Sequence, residues 1–286
     1  MTESRLEGVQ SVADTARWVA YYRAVETTQP DAIFRDPYAR DLAGDIGKRM
    51  AQANRQTRSG SWPMVVRTAV MDEIIGREIM LGCDTVFSLG AGLDTRPYRL
   101  ALPPALRWIE VDLPDMIAYK TEKLAGAPSA CKVERIGLDL ADLNARHELF
   151  RRVNASTRRA LVLSEGLVIY LSEEQVAQLG RDLHACSNFA FWLIDQASPA
   201  IMAMISRSFQ RGLQAANAPM QFAPADGLAF HAAQGWVPRE DRDMIGEAAR
   251  LRREMPLGKL LRTIGLLRSR DAKMWSSIAL LERSAV

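Results

Sequence analysis

Between Thr85 and Ile194, short apolar runs alternate with longer segments of helical period. The runs are Thr85–Leu89, Arg107–Val111, Lys132–Leu138, Ala160–Ser164 and Phe189–Ile194. They are rich in β-branched and aromatic residues and bounded by turn-forming residues, which reads as buried strands. Helical periods fill the gaps at Leu113–Leu124, Asn144–Arg152 and Ser172–Cys186. The last opens "SEEQ", with Ser172 as N-cap and Gln175 at the third helical position. Strands that alternate with helices join through right-handed crossovers into a parallel sheet. Runs apolar on both faces need helices on both sides. Met274–Glu282 reads as a late strand, paired with one near Trp236–Pro238. The fold class is therefore α/β, with a mostly parallel sheet.

The flanks are helical. Residues 11–28 carry Val12, Ala16, Val19 and Ala20 at helical spacing, with Ser11 as the expected cap. Asp36-Pro37 should open a short helix that Gly44 ends. Residues 62–81 form a strong helix with Val66, Val70 and Ile74 on one face and Gly82 as its stop.

Bulk properties exclude several classes. A chain of 286 residues with 48% hydrophobic and 25% charged residues can bury a substantial core. The net charge of +3 is interspersed, a weak field for nucleic acid. The densest basic stretch, Arg250–Arg270, reads as amphipathic segments interrupted near Pro256. Cys83, Cys131 and Cys186 are too few and too far apart for a disulfide framework or a zinc site, and the three histidines are scattered, so no metal site is expected. No apolar run reaches the ~18 residues of a membrane span. The opening "MTESRLEGVQ" lacks the apolar region of a signal peptide, and the expected location is cytoplasmic.

The first strand runs into "SLGAGLDTRPYR". Gly90-Ala91-Gly92 permits a tight turn and close backbone approach to a ligand, and ligands of open α/β sheets bind beyond the carboxyl strand ends. Glu110 and Asp112 end the second strand, 20 and 22 residues after Gly90, where a carboxylate accepts from ribose hydroxyls. Nicotinamide and S-adenosylmethionine enzymes share this arrangement. A pyrophosphate needs a glycine-lined helix N-terminus. Here Thr95 replaces the third glycine and Asp94 stands beside it, which favours a cationic methyl donor over the nicotinamide alternative. Asp139, between Leu138 and Leu140, fits an adenine contact and equally a turn or cap. Glu165, at the end of a buried strand, needs a partner, either an arginine or a ligand amine. Arg96 reads as a structural anchor.

"RDPYA" (35–39), "VVRTAVMDEII" (65–75), "SLGAGLDTRPYRL" (88–100), "WIEVDLP" (108–114) and "SEGLVIYLSEEQV" (164–176) together resemble the leucine carboxyl methyltransferase family. Within it they look closest to the bacterial branch that includes tetracenomycin-type polyketide-carboxylate O-methyltransferases. The resemblance spans roughly residues 11–195 and implies a Rossmann-like class I methyltransferase fold with a seven-stranded sheet and S-adenosyl-L-methionine as cofactor. With no internal repeat or low-complexity linker, the chain reads as one domain over 1–286: a helical cap (1–82), a donor-binding core (83–198), a lid or substrate insertion (199–235) and the C-terminal part of the sheet (236–286). Carried over, Arg67 pairs with the methionine carboxylate. Gly90, Ala91 and Gly92 line the methionine portion, and Asp112 binds the ribose. Asp139 and Leu140 frame the adenine, and Glu165 with Gly166 sits by the amino end. Arg23 is a looser candidate for the donor carboxylate.

The implied reaction is O-methylation of a small-molecule acid or phenol, without nucleic-acid or membrane partners, by a monomer or homodimer. A carboxylate acceptor is ionised at neutral pH and needs no general base. A phenol would benefit from one, with His184 or His231 as candidates. The acceptor pocket is expected among Trp18, Tyr21, Tyr22, Phe34, Ile169, Tyr170 and the Met-rich segment after Pro199.

Overall fold

The computed structural model describes residues 12–53, 61–206, 220–255, 257–263 and 274–284. The apolar runs form strands β1 (Thr85–Leu89), β2 (Arg107–Asp112), β3 (Lys132–Gly137), β4 (Ala160–Ser164) and β5 (Phe189–Ala197), followed by β6 (Trp236–Asp243) and β7 (Ser276–Arg283). One seven-stranded sheet has the order β3-β2-β1-β4-β5-β7-β6. β1 to β5 pair parallel with one another, and β7 runs antiparallel to both β5 and β6. β5 extends past Ile194 because Asp195, Gln196 and Ala197 pair with Ile278, Ser277 and Ser276 of β7. That pairing continues the strand after its apolar run has ended.

The helices are α1 (Val12–Thr27), α2 (Ala39–Ala53), α3 (Trp62–Met80), α4 (Arg96–Arg99), α5 (Pro114–Lys123), α6 (Leu143–Ala155), α7 (Glu173–His184), α8 (199–206), α9 (Ala229–Ala232), α10 (Met244–Arg250) and α11 (Gly258–Thr263). α3 begins with Pro63 in its first turn and ends before Gly82, whose φ of 103° suits a left-handed stop. Its Val66, Val70 and Ile74 pack under Val86, Leu161 and Leu193 on one face of the sheet. On the other face Leu149 of α6 and Val176, Leu179 and Leu183 of α7 cover Phe87, Val162 and Trp192. α7 starts with the expected capping box between Ser172 and Gln175. Burying apolar area at about 25 cal/mol per Å² on both faces explains why the central strands tolerate no polar alternation.

α2 begins at Ala39, and Gly44 (φ 56°, ψ −166°) breaks it without ending it. The chain re-enters the helix because Met50 and Ala51 bury against Trp18 and Tyr22 of α1. Among the described part of the basic stretch, Arg250 pairs with Glu73 and Glu247, and Arg253 with Glu26 and Asp31. Ser11, residues 207–219 of the insertion, the break at Pro256 and residues 264–270 lie outside the described residues. No helix among the described residues is long and apolar enough to cross a membrane.

Candidate active site

β1 neighbours both β2 and β4, so the sheet order reverses there and opens a crevice at the carboxyl ends of the strands. A cleft of about 1670 Å³ occupies that edge. Each parallel strand delivers a group to it: β1 the loop Gly90-Ala91-Gly92, β2 Asp112, β3 Asp139 with Leu140, β4 Glu165 and Gly166, and β5 Asp195. Gly90 has φ 62°, and a Cβ there would stand 3.0 Å from Leu167 Cδ1. Only glycine makes this turn and leaves the backbone open to a ligand. The Gly92 N–H donates to Asp112 Oδ2 at 2.7 Å, and the Leu113 N–H to Oδ1 at 2.7 Å. These bonds fix the carboxylate at the rim while each oxygen keeps a lone pair. Burial pushes the Asp112 carboxyl up, against the two backbone amides.

Glu110 has a different place. It lies deeper in β2, fully buried, paired with Lys120 of α5 at 2.8 Å and with Arg135 at 3.0 Å. Of the two acids in "IEVD", Asp112 alone lines the cleft. Asp139 is exposed at the rim, and its Oδ1 accepts the Ala141 N–H at 2.9 Å, so it makes the local turn while lining the cleft.

The floor is an ion-pair network. Arg67 of α3 donates to Glu165 at 2.9 Å and to Asp195 at 2.8 Å. Arg96 binds Asp72 at 2.6 Å, Asp94 at 2.9 Å and Glu165 at 2.6 Å, and Arg99 also binds Asp72. The Gly166 N–H donates to Asp195 Oδ1 at 2.7 Å. Burial alone would raise the Asp94 and Glu165 carboxyls, but Arg96 beside both, with Arg67 beside Glu165, holds them below the usual carboxylate range. Burial would likewise depress Arg67, yet Asp195 and Glu165 hold its guanidinium firmly charged. Three guanidiniums thus face four carboxylates, leaving the network with an excess of negative charge.

This geometry revises part of the sequence reading. Asp94 does not meet a ligand as an isolated carboxylate, since Arg96 neutralises it. The preference for a cation belongs to the network as a whole. Arg96 is the expected anchor, 1% exposed. Arg23 lines the cleft but is held by Asp36 at 2.8 Å and by the Leu93 carbonyl, so it props the β1 loop. Asp195 was missed, although "WLIDQ" carries the same signature as "WIEVD" and "VLSEG", an acid closing a buried apolar run.

The expected acceptor residues divide. Tyr170 lines the cleft with Trp18 and Ile169. Tyr21, Tyr22 and Phe34 do not. Tyr22 is 2% exposed inside the packing of α1 on α2, Tyr21 packs beside it, and Phe34 lies under the Arg99 guanidinium at 5.4 Å. The helix face that seemed free to meet a ligand is covered by α2, whose amphipathic turn after Gly44 the sequence reading overlooked. His184 and His231 also lie off the cleft. His231 sits among Trp192, Phe222 and Phe230, where burial depresses it to about 4. The far wall is apolar, built from Met64, Met202, Met220, Met244, Met274 and Trp62. Among the described residues no group of three or more His, Cys, Asp or Glu could hold a metal ion.

Strand order, antiparallel β7 and an acid-tipped carboxyl edge define a Rossmann-like S-adenosyl-L-methionine-dependent methyltransferase. Solved structures share the fold. A DUF574-family protein from Streptomyces avermitilis superposes with a TM-score of 0.61 at 16% identity, covering 97% of this chain and 98% of that one. A Thermobifida fusca protein named as a methyltransferase gives 0.58 at 13% identity, over 97% and 96% of the two chains. The family model for leucine carboxyl methyltransferase matches residues 16–184, and the chain belongs to that family. A Mycolicibacterium vanbaalenii protein named as an S-adenosyl-L-methionine-dependent methyltransferase is 30% identical over 262 residues, 81% of this chain and 86% of its own. A Streptomyces coelicolor protein of the same description is 29% identical over 238 residues, 78% and 82% of the two chains. S-adenosyl-L-methionine is therefore the cofactor, and the nicotinamide alternative falls.

Proposed function

We propose that this enzyme methylates a carboxylate oxygen of a bulky, apolar small molecule of the polyketide or aromatic-acid kind. The observation that carries this reading is the composition of the cleft. An acidic, hydrogen-bonding rim meets a Met-rich apolar wall, and no histidine lines it among the described residues.

The rim suits the donor. The network's excess carboxylate charge complements a ligand of net positive charge. In this reading Asp112 holds the ribose hydroxyls through its free lone pairs. Asp139 and Leu140 frame the adenine, and Gly90, Ala91 and Gly92 pass beneath the methionyl portion. Glu165, Gly166 and Asp195 face its ammonium, and Arg67 offers a guanidinium edge to its carboxylate. Bound S-adenosylmethionine supplies an electrophilic methyl group on a sulfonium.

The chain's own contribution is alignment and exclusion of water. The Met-rich wall takes up the apolar body of the acceptor and strips solvent from its oxygen. Holding the reactants in line replaces a bimolecular encounter by a positioned one. A carboxylate arrives ionised, so no proton need be removed, which agrees with a cleft that no histidine lines among the described residues. Incubating the protein with S-adenosylmethionine and a panel of aromatic and polyketide acids tests the reading. The expected product gains the mass of one CH₂ by mass spectrometry; transfer to phenols alone would refute it.

A further inference from the structure

Gln196 of β5 and Ser277 of β7 are register partners. They are 3% and 5% exposed, and both line the cleft. Each carries a buried polar atom that no group among the described residues satisfies: Nε2 of Gln196 and Oγ of Ser277. Buried donors are nearly always paired, because an unmade bond leaves their desolvation uncompensated. Two such atoms, on register partners that both line the cleft, point to a place where a ligand completes the bonding.

The rest of the Gln196 amide is engaged. Its Oε1 lies 3.2 Å from His231 Nε2. His231 is 1% exposed and enclosed edge-on by Trp192 and Phe230. If the imidazole is the neutral tautomer that donates Nε2–H to the amide oxygen, the amide NH₂ is the half left without a partner among the described residues. Adjacent strand residues point to opposite faces. Asp195 therefore serves Arg67 and Gly166 on one side, while Gln196 serves the other. Met202, apolar and buried, also lines the cleft, and Phe222 packs against His231 with ring centroids 5.9 Å apart.

We propose that Gln196 Nε2–H and Ser277 Oγ–H form a recognition site for a carboxylate or carbonyl oxygen of the methyl acceptor, with His231 as the positioning residue of the Gln196 amide. This rests on reading the Met-rich end of the cleft as the acceptor site. It supplies what that reading lacks: a polar group that selects an oxygen-bearing end of an otherwise apolar molecule.

Equilibrium dialysis of protein saturated with S-adenosylhomocysteine tests it, using 2-naphthoate, 2-acetylnaphthalene, 2-ethylnaphthalene and 2-naphthylmethylamine as probes. Wild type should hold the acid and the ketone about tenfold more tightly than the hydrocarbon, the gain of one or two hydrogen bonds. Gln196→Leu and Ser277→Ala should each remove most of that preference, with S-adenosylhomocysteine and 2-ethylnaphthalene affinities unchanged. The unchanged affinities show the variants are folded, and Ser277→Ala, a smaller change, decides if Gln196→Leu is not. His231→Phe should lose the preference and His231→Gln, which keeps an N–H donor, should retain it. Equal binding of acid and hydrocarbon by wild type, a preference that survives both substitutions, or tighter binding of the amine overturns the proposal. Binding is scored without turnover, so failure of methyl transfer would count against the proposed function and not against this site.

Discussion

Arg67 Nε donates to Glu165 Oε1 at 2.9 Å across 98 residues of chain, and so ties helix α3 to the end of β4 directly beneath the cleft. One guanidinium thereby holds two carboxylates, Glu165, which Arg96 also binds, and Asp195, which otherwise keeps the Gly166 N–H. Arg67→Met is expected to cost about 3 kcal/mol of stability, the usual penalty for stranding buried charge. Urea denaturation measures it. A loss smaller than that of an exposed pair, under about 1 kcal/mol, would show that the network does not hold the floor together.

Asp112 is fixed by two backbone amides and keeps a lone pair on each oxygen. Asp112→Ala should weaken S-adenosylmethionine binding by about 10- to 100-fold, the range for hydrogen bonds to a charged group. Calorimetric titration reports this directly. Unchanged affinity would remove Asp112 from the donor site.

Gly90 and Gly82 make a controlled comparison. Both have positive φ, but a Cβ at Gly82 meets nothing within 4 Å, whereas one at Gly90 meets Leu167 at 3.0 Å. Alanine at either position should cost about 1–2 kcal/mol in backbone strain. Only Gly90→Ala should also lower donor affinity. Equal donor affinity in the two variants would contradict the close approach.

His231 sets a pH window for stability. Burial holds it at about 4 against an ordinary 6.5. Between those values the unfolded chain binds the proton and the folded chain does not. Stability should therefore be full above about pH 6.5 and fall by about 3 kcal/mol as the pH drops to about 4. Asp94 and Glu165, held below the usual carboxylate range, extend the loss at lower pH, because their contribution is present above that range and vanishes as they protonate. His231→Phe should flatten the upper window and leave the lower one. Urea denaturation at a series of pH values would reveal a persisting upper slope if the assignment is wrong.

Particular residues show what was legible in the sequence. Strand ends at Asp112 and Glu165, the Gly90–Gly92 loop and the Ser172 cap are local signals, carried by a few consecutive residues. They needed only periodicity and turn chemistry. Asp195 was local too, but the apolar run stops at Ile194 and hides the extension that β7 provides. Tyr22 and Phe34 were misplaced because their neighbours come from distant segments, α2 for one and Arg99 for the other. Asp94 was misjudged for the same reason. Its partner Arg96 is close in sequence, but that this guanidinium also reaches Asp72 and Glu165 is a fact of packing. Gln196 and Ser277 gave no signal, since their meaning lies in facing each other across two strands far apart in the chain.

Transfer from S-adenosylmethionine bearing an isotopically labelled methyl group, followed by mild alkaline hydrolysis of the product, asks the central question directly. The expected result is labelled methanol released with recovery of the starting acid, the behaviour of a methyl ester. A label that survives alkali, as in a methyl ether on a phenolic oxygen, would contradict carboxylate methylation.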